Sequence, residues 1–458
     1  HQSGDAITSG NTNTAVGQGS LSTNTVGDRN TAVGSGSLQT FNPSSNTDEN
    51  NTAIGYATLQ ALTTGVNNIA IGGLAMGGDP GPTTETHNLA IGVNSMSGNI
   101  AGGENNVAIG NFTLDALTSG DDNVALGYNA GGGNTTGSQN IYIGRDAGLL
   151  HTGDESNVII GDDAVSEHAG SLGQSVIIGG AAGAGLGSGG SLVFIGYEAG
   201  ANHDDESHNL GIGRSALAGV IAGGEYNVAI GNNSGDAITS ADENTAVGYN
   251  ALTDCTTGGK NTAIGYEALA NVVGGTSNTA LGFFAGGTIT SGSNNITIGF
   301  DAGRAGSPGG ALGTGDNQLC LGDENITNAH IQVDLTVASD KRDKTDVSAI
   351  DIGLDFINKL EPVTYRWDKR SKYDNAVPTG EHKEAKLDIG FLAQDVEVLE
   401  NEYGYKKEDK TNLTTNLSED EKQYGIQYSK FVPILVKSVQ ELSSQVEELK
   451  DKIKVLEG

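Results

Sequence analysis

Apolar positions over residues 13–322 fall in short alternating runs, not in helical stripes. NTAVG stands at Asn13–Gly17 and Asn30–Gly34, NTAIG at Asn51–Gly55, NIAIG at Asn68–Gly72, NLAIG at Asn88–Gly92 and NVAIG at Asn106–Gly110. The closing glycine recurs eighteen times from Gly17 to Gly322, most often 17 residues apart, sometimes 18, with larger insertions near each end. The residue before that glycine is Ile, Val or Leu. Two positions earlier stands Thr, Val, Ile or Leu, and the residue between is usually Ala. Alternation over a short β-branched run predicts a strand. The remaining dozen or so residues of each repeat are mostly Gly, Asn, Ser, Thr and Asp, which are turn formers.

A repeat this short is one coil of a solenoid, because no single coil can bury its own apolar face. The predicted class is an all-β repeat solenoid, a parallel β-roll, over residues 1–326. At one strand spacing of ~4.8 Å per coil it would extend roughly 85 Å. Of the two strand faces, the branched aliphatic one is expected to form the core. The Ala/Gly one is expected to admit another backbone closely. A connector follows at 327–338, then a distinct domain at 339–458.

Composition fits a solenoid. The 71 glycines come with only seven prolines and no Gly-X-Y period, which excludes collagen. The formal net charge is −32; residues 1–338 hold five basic and 31 acidic residues, and residues 339–458 hold 19 and 25. A rod this acidic repels nucleic acid and anionic membranes, so neither is expected as a partner. Acidic pairs such as Asp121-Asp122, Asp162-Asp163 and Asp204-Asp205-Glu206 are where a divalent cation would sit. The GGxGxD nonapeptide of calcium-binding rolls is absent, and no metal or cofactor site is assigned. Cys255 and Cys320 cannot form a disulfide framework; Cys320 takes the place of the strand alanine and is expected to be a buried thiol. No apolar run reaches membrane-spanning length, and no signal peptide is visible. The chain starts at His1, so whatever anchors the rod is expected upstream.

Repeats such as NTAIGYEAL (Asn261–Leu269) and NVAIGNNSG (Asn227–Gly235) resemble the head repeats of trimeric autotransporter adhesins. That resemblance implies parallel β-rolls packed three abreast and covers roughly residues 13–322. The sequence beyond the repeats does not read as the membrane β-barrel of those adhesins.

After Gly322 the chain reads AHIQVDLTVASDKRDKTDVSAIDIGLDFINKLEPVTYRWD, later DIGFLAQDVEVLE, then YGIQYSKFVPILVKSVQELSSQVEELKDKIKVLEG. These three runs, in order over about residues 335–458, resemble the intramolecular chaperone of phage tail spikes and fibres, the S74 peptidase family. The resemblance implies a trimeric folding clamp that severs itself between Ala338 and Ser339, with Ser339 as nucleophile and Lys344 as base. Gln394 and His382 are candidates for supporting roles. A serine hydroxyl needs a base, and a lysine serves only when its environment lowers its pKa. Five extended residues span about 17 Å, so the chain must turn through Asp340–Asp343. Assembly is expected to bury the lysine and bend this segment, with Lys341 and Arg342 helping by like-charge repulsion.

The last helix carries an unbroken seam at Leu435, Val439, Leu442, Val446, Leu449, Ile453 and Leu456, which predicts a coiled coil over 430–457. β-branched residues at a with Leu at d favour two strands; the family resemblance implies three.

The family resemblance implies a homotrimeric tail fibre of a virion, expected to be made in the host cytoplasm, to be extracellular when mature and to meet a host surface glycan or protein receptor. Alternatives are a polysaccharide-degrading tail spike or a passive adhesin or surface-binding solenoid. A depolymerase needs paired carboxylates in a groove, and the uniform coils leave no insertion large enough to build one. One aromatic strip follows the motif glycine at Tyr249, Tyr266, Phe283 and Phe300 on consecutive coils. It reads either as a packing ladder or as a stacking surface for glycan.

Overall fold

The computed structural model describes residues 2–45, 47–78, 84–98, 101–167, 172–333, 335–418 and 421–458. The chain divides into two compact units, His1–Asn295 and Ile296–Gly458.

The first unit is a parallel β-solenoid. Its strands run from β1 (Thr14–Val16) to β16 (Thr279–Leu281), each three residues long. Every strand pairs in parallel with the next, one repeat on, so that like stacks on like. Thr245 lies beside Thr262, Ala246 beside Ala263 and Val247 beside Ile264; the row continues to Thr279, Ala280 and Leu281.

The motif asparagine locks these coils together. Asn261 Nδ2 donates to the Gly275 carbonyl at 2.9 Å, while its Oδ1 accepts from Asn278 N at 2.9 Å and Asn278 Nδ2 at 3.1 Å. Asn244, Asn261 and Asn278 are all buried. The amide side chain supplies both donors and an acceptor, so one residue type satisfies backbone groups in neighbouring coils. The motif glycine has a different cause. Gly265 has φ +139°, and a Cβ there would stand 2.3 Å from the Gly282 carbonyl oxygen. Only a residue without a side chain fits.

The strand faces are the reverse of the sequence expectation. The central alanines Ala53, Ala70, Ala108, Ala246, Ala263 and Ala280 are buried, and they form the interior with Leu269, Val272 and their equivalents. The branched aliphatics point outward: Ile54, Ile69, Val124, Leu126, Ile230, Ile264 and Leu281 are all exposed. A coil closed in about seventeen residues is too narrow for two rows of Ile and Val, so the small residue goes inside. Where an aromatic ring goes inside, glycine makes room. Phe194 and Tyr142 are buried in strand centres. A Cβ on Gly200 would lie 2.4 Å from the Phe194 ring, and one on Gly148 would lie 2.5 Å from Tyr142.

The second unit opens with two further coil strands, β17 (Ile296–Ile298) and β18 (Leu319–Leu321), paired in parallel. Cys320 is buried, as expected. Farther along stand α1 (Leu354–Lys359), β19 (Val363–Tyr365), β20 (Asp388–Gly390), α2 (Ala393–Glu402), β21 (Thr415–Leu417), β22 (Tyr424–Ile426) and α3 (Phe431–Glu457). The strands form two antiparallel pairs, β19–β20 and β21–β22. The core is Ile352, Phe356, Val396, Leu399, Phe431 and Ile434. Glu441 of α3 accepts from Leu354 N at 2.8 Å and so caps α1, whose own N-cap residue, Gly353, has no side chain to do it. Glu400 of α2 is wholly buried and accepts from Thr414 N (2.6 Å), Thr414 Oγ1 (2.7 Å) and Thr415 Oγ1 (2.6 Å). It ties α2 to β21. The seam residues of α3 from Leu435 to Leu456 are exposed on the single chain.

Candidate active site

Ser339 and Lys344 meet. Lys344 Nζ donates to Ser339 Oγ at 2.6 Å. The contact depends on a single turn of 3-10 helix, Lys341–Asp343, between two extended residues, Asp340 and Lys344. Its backbone bonds are long: Asp343 N to Asp340 O and Lys344 N to Lys341 O are both 3.3 Å. The closer contacts come from the Asp340 side chain. Its Oδ1 accepts from Arg342 N at 2.9 Å, and Arg342 Nε and Nη2 reach the carboxylate at 3.1 and 2.6 Å. Asp340 is an N-cap, a residue type whose carboxylate satisfies the free amides of a helix start. The Arg342 guanidinium holds the Asp340 carboxyl below the usual carboxylate range, and Asp340 in turn raises Arg342.

The bend through Asp340–Asp343 is therefore present as expected, and it forms within one chain. The Arg342 charge is paired with Asp340, which offsets its repulsion of Lys344. Ser339 and Lys344 are both exposed on the single chain, so nothing there excludes water from the pair.

The other expected residues lie apart from it. Gln394 is exposed near the start of α2. The His382 ring packs edge-on to Tyr373 at 4.8 Å, and its backbone amide donates to the Tyr373 hydroxyl. Neither is hydrogen-bonded to Ser339 or Lys344. Sequence reasoning missed Asp340 as a cap, although an acidic residue just before a tight turn is a readable signal.

In the solenoid, Tyr249 stacks on Tyr266 at 5.3 Å and 14°, and Tyr266 on Phe283 at 4.9 Å and 13°. Phe284 meets Tyr266 and Phe283 edge-on. Both faces of Tyr266 are covered by its neighbours, so a sugar approaching there meets ring edges. Phe300, in the second unit, is exposed. The acidic loops are used internally: Asp162 and Asp163 pair with Arg145 at 2.9 and 2.6 Å, and Asp205 accepts from Ser188. Among the described residues no cluster of three His, Cys, Asp or Glu side chains could hold a metal ion, and no helix is long and apolar enough to cross a membrane.

The peptidase S74 family model, described as chaperone of endosialidase, matches residues 339–405. Comparison with curated proteins and with solved structures returns no match.

Proposed function

We propose that this chain is a homotrimeric tail fibre of phage type whose C-terminal domain, 339–458, acts as an intramolecular trimerisation chaperone and then severs the Ala338–Ser339 bond. The rod would span 1–326 and the connector 327–338. The observation that carries the reading is positional. The family match begins at Ser339, and that serine is in hydrogen-bond contact with Lys344, five residues on.

The chemistry follows from the pair. Neutral Lys344 takes the Ser339 hydroxyl proton, and Oγ attacks the Ala338 carbonyl carbon. The peptide C–N bond breaks as the proton passes to the Ser339 nitrogen, leaving an ester between Ala338 and Ser339 Oγ. Water hydrolyses the ester to an Ala338 carboxylate and a free Ser339. A lysine acts as a base only where its surroundings exclude water. Cover by other copies in the trimer removes that water.

Three exposed apolar surfaces support self-association. They are the outward aliphatic row of the solenoid, the alternating Ile331, Val333, Leu335 and Val337 of the connector, and the α3 seam. A chain of net charge −32 meets its own copies most favourably through uncharged surfaces such as these. The trimer interface of the rod is thus the branched aliphatic face, not the alanine face. Such a fibre would sit on the virion tail and engage a host surface glycan or protein receptor. Gel electrophoresis of boiled and unboiled protein tests the reading. Expected are a trimer band before boiling and two fragments, of 338 and 120 residues from the 458, after it. A full-length monomer in both lanes would refute it.

A further inference from the structure

We propose that Asp340 is a positioning residue for self-cleavage. It sets the Ser339–Lys344 pair before assembly, so that the trimer need only exclude water and not bend the chain. The inference rests on the self-cleavage reading above.

The bond between Lys344 Nζ and Ser339 Oγ spans five residues, a distance of about 17 Å if the chain were extended. A lone turn of 3-10 helix has poor hydrogen-bond geometry, and here both of its backbone bonds are 3.3 Å long. The Asp340 carboxylate supplies the shorter restraints, at 2.9 Å to the Arg342 amide and 2.6 Å to its guanidinium. All of these partners belong to one segment of one chain, Ser339 to Lys344. No second copy is required for the pair to meet. The Asp340 carboxylate is hydrogen-bonded to Arg342 and not to Ser339 or Lys344, so its effect passes through the turn.

The cap and the charge make separable predictions. Asn at 340 keeps the oxygen that accepts from Arg342 N and loses the charge. Ala loses both. With rates measured on the trimeric fraction by intact mass, Asp340→Ala should cleave about tenfold more slowly than wild type, the scale of a lost N-cap. Asp340→Asn should stay within about threefold, since Asn caps as well as Asp. Light scattering should return the same oligomer mass for all three proteins. Wild-type rates in Asp340→Ala would overturn the inference, and so would Asp340→Asn falling as far as Asp340→Ala, because charge and not the cap would then matter. Absence of cleavage in the wild-type trimer would overturn the self-cleavage reading itself, and this inference with it. Ser339→Ala serves as the uncleaved reference.

Discussion

Replacing Asn261 by alanine should open one coil of the solenoid and leave the rest standing. The substitution strands two buried groups. The Asn278 amide loses the acceptor it meets at 2.9 Å, and the Gly275 carbonyl loses its donor at 2.9 Å. Asn278 Nδ2 loses one bond but keeps another, to the Gly292 carbonyl at 2.8 Å. A buried polar group left without a partner costs about 1–3 kcal/mol, so two cost about 4 kcal/mol together. Because each coil touches only its neighbours, the loss is local. Amide hydrogen exchange reads it directly. At about 1.4 kcal/mol per decade, exchange over Asn261–Asn278 should accelerate by nearly three orders of magnitude, while coils beyond the two neighbours stay protected. Glu104→Ala is the control: the side chain is exposed and makes no hydrogen bond, so its effect should stay within about 0.5 kcal/mol. Acceleration of less than tenfold at Asn261→Ala would mean that the asparagine row does not hold the coils together.

Ser339→Ala and Lys344→Ala should each leave a full-length chain by mass spectrometry while light scattering still reports a trimer. Ile264→Asp with Leu281→Asp, on the exposed aliphatic row, should return a folded monomer by scattering and circular dichroism, since burying two carboxylates per chain in an interface is costly. Glu400→Ala strands the Thr414 amide and two hydroxyls and should destabilise the second unit by about 3 kcal/mol in denaturant titration. His203 is buried edge-on to Phe194 at 4.6 Å, and burial pushes its pKa down to about 3 from 6.5. The folded state thus keeps it neutral while the unfolded chain protonates below pH ~6.5, so stability falls with pH from there towards 3. Between pH 7 and 4 the wild type should lose about 3 kcal/mol more than His203→Leu. Equal acid sensitivity of the two would contradict the assignment.

The coil period, the strand positions and the need for glycine at the motif's end were legible because alternation and spacing are local properties. Which face lies inside was not. Branched residues normally fill a core between sheets ~10 Å apart, and that habit fails inside a coil closed by seventeen residues, where Ala263 fits and Ile264 does not. The exchange of Phe194 or Tyr142 against Gly200 or Gly148 becomes readable only once the fold brings those positions together. At the candidate site, the Ser339–Lys344 pair came from family resemblance, since a serine and a lysine five apart carry no signal alone. The Asp340 cap was within reach of local rules. The link from Glu400 to Thr414 and Thr415 was not, because it depends on how a helix meets a strand after a loop.

If three chains assemble and then cut at one bond, native mass spectrometry of the purified protein during incubation will follow both events. A trimer of full-length chains should give way to a trimer of 338-residue rods, with a 120-residue fragment starting at Ser339. A single uncut mass that persists, or a monomer at micromolar concentration, would contradict it.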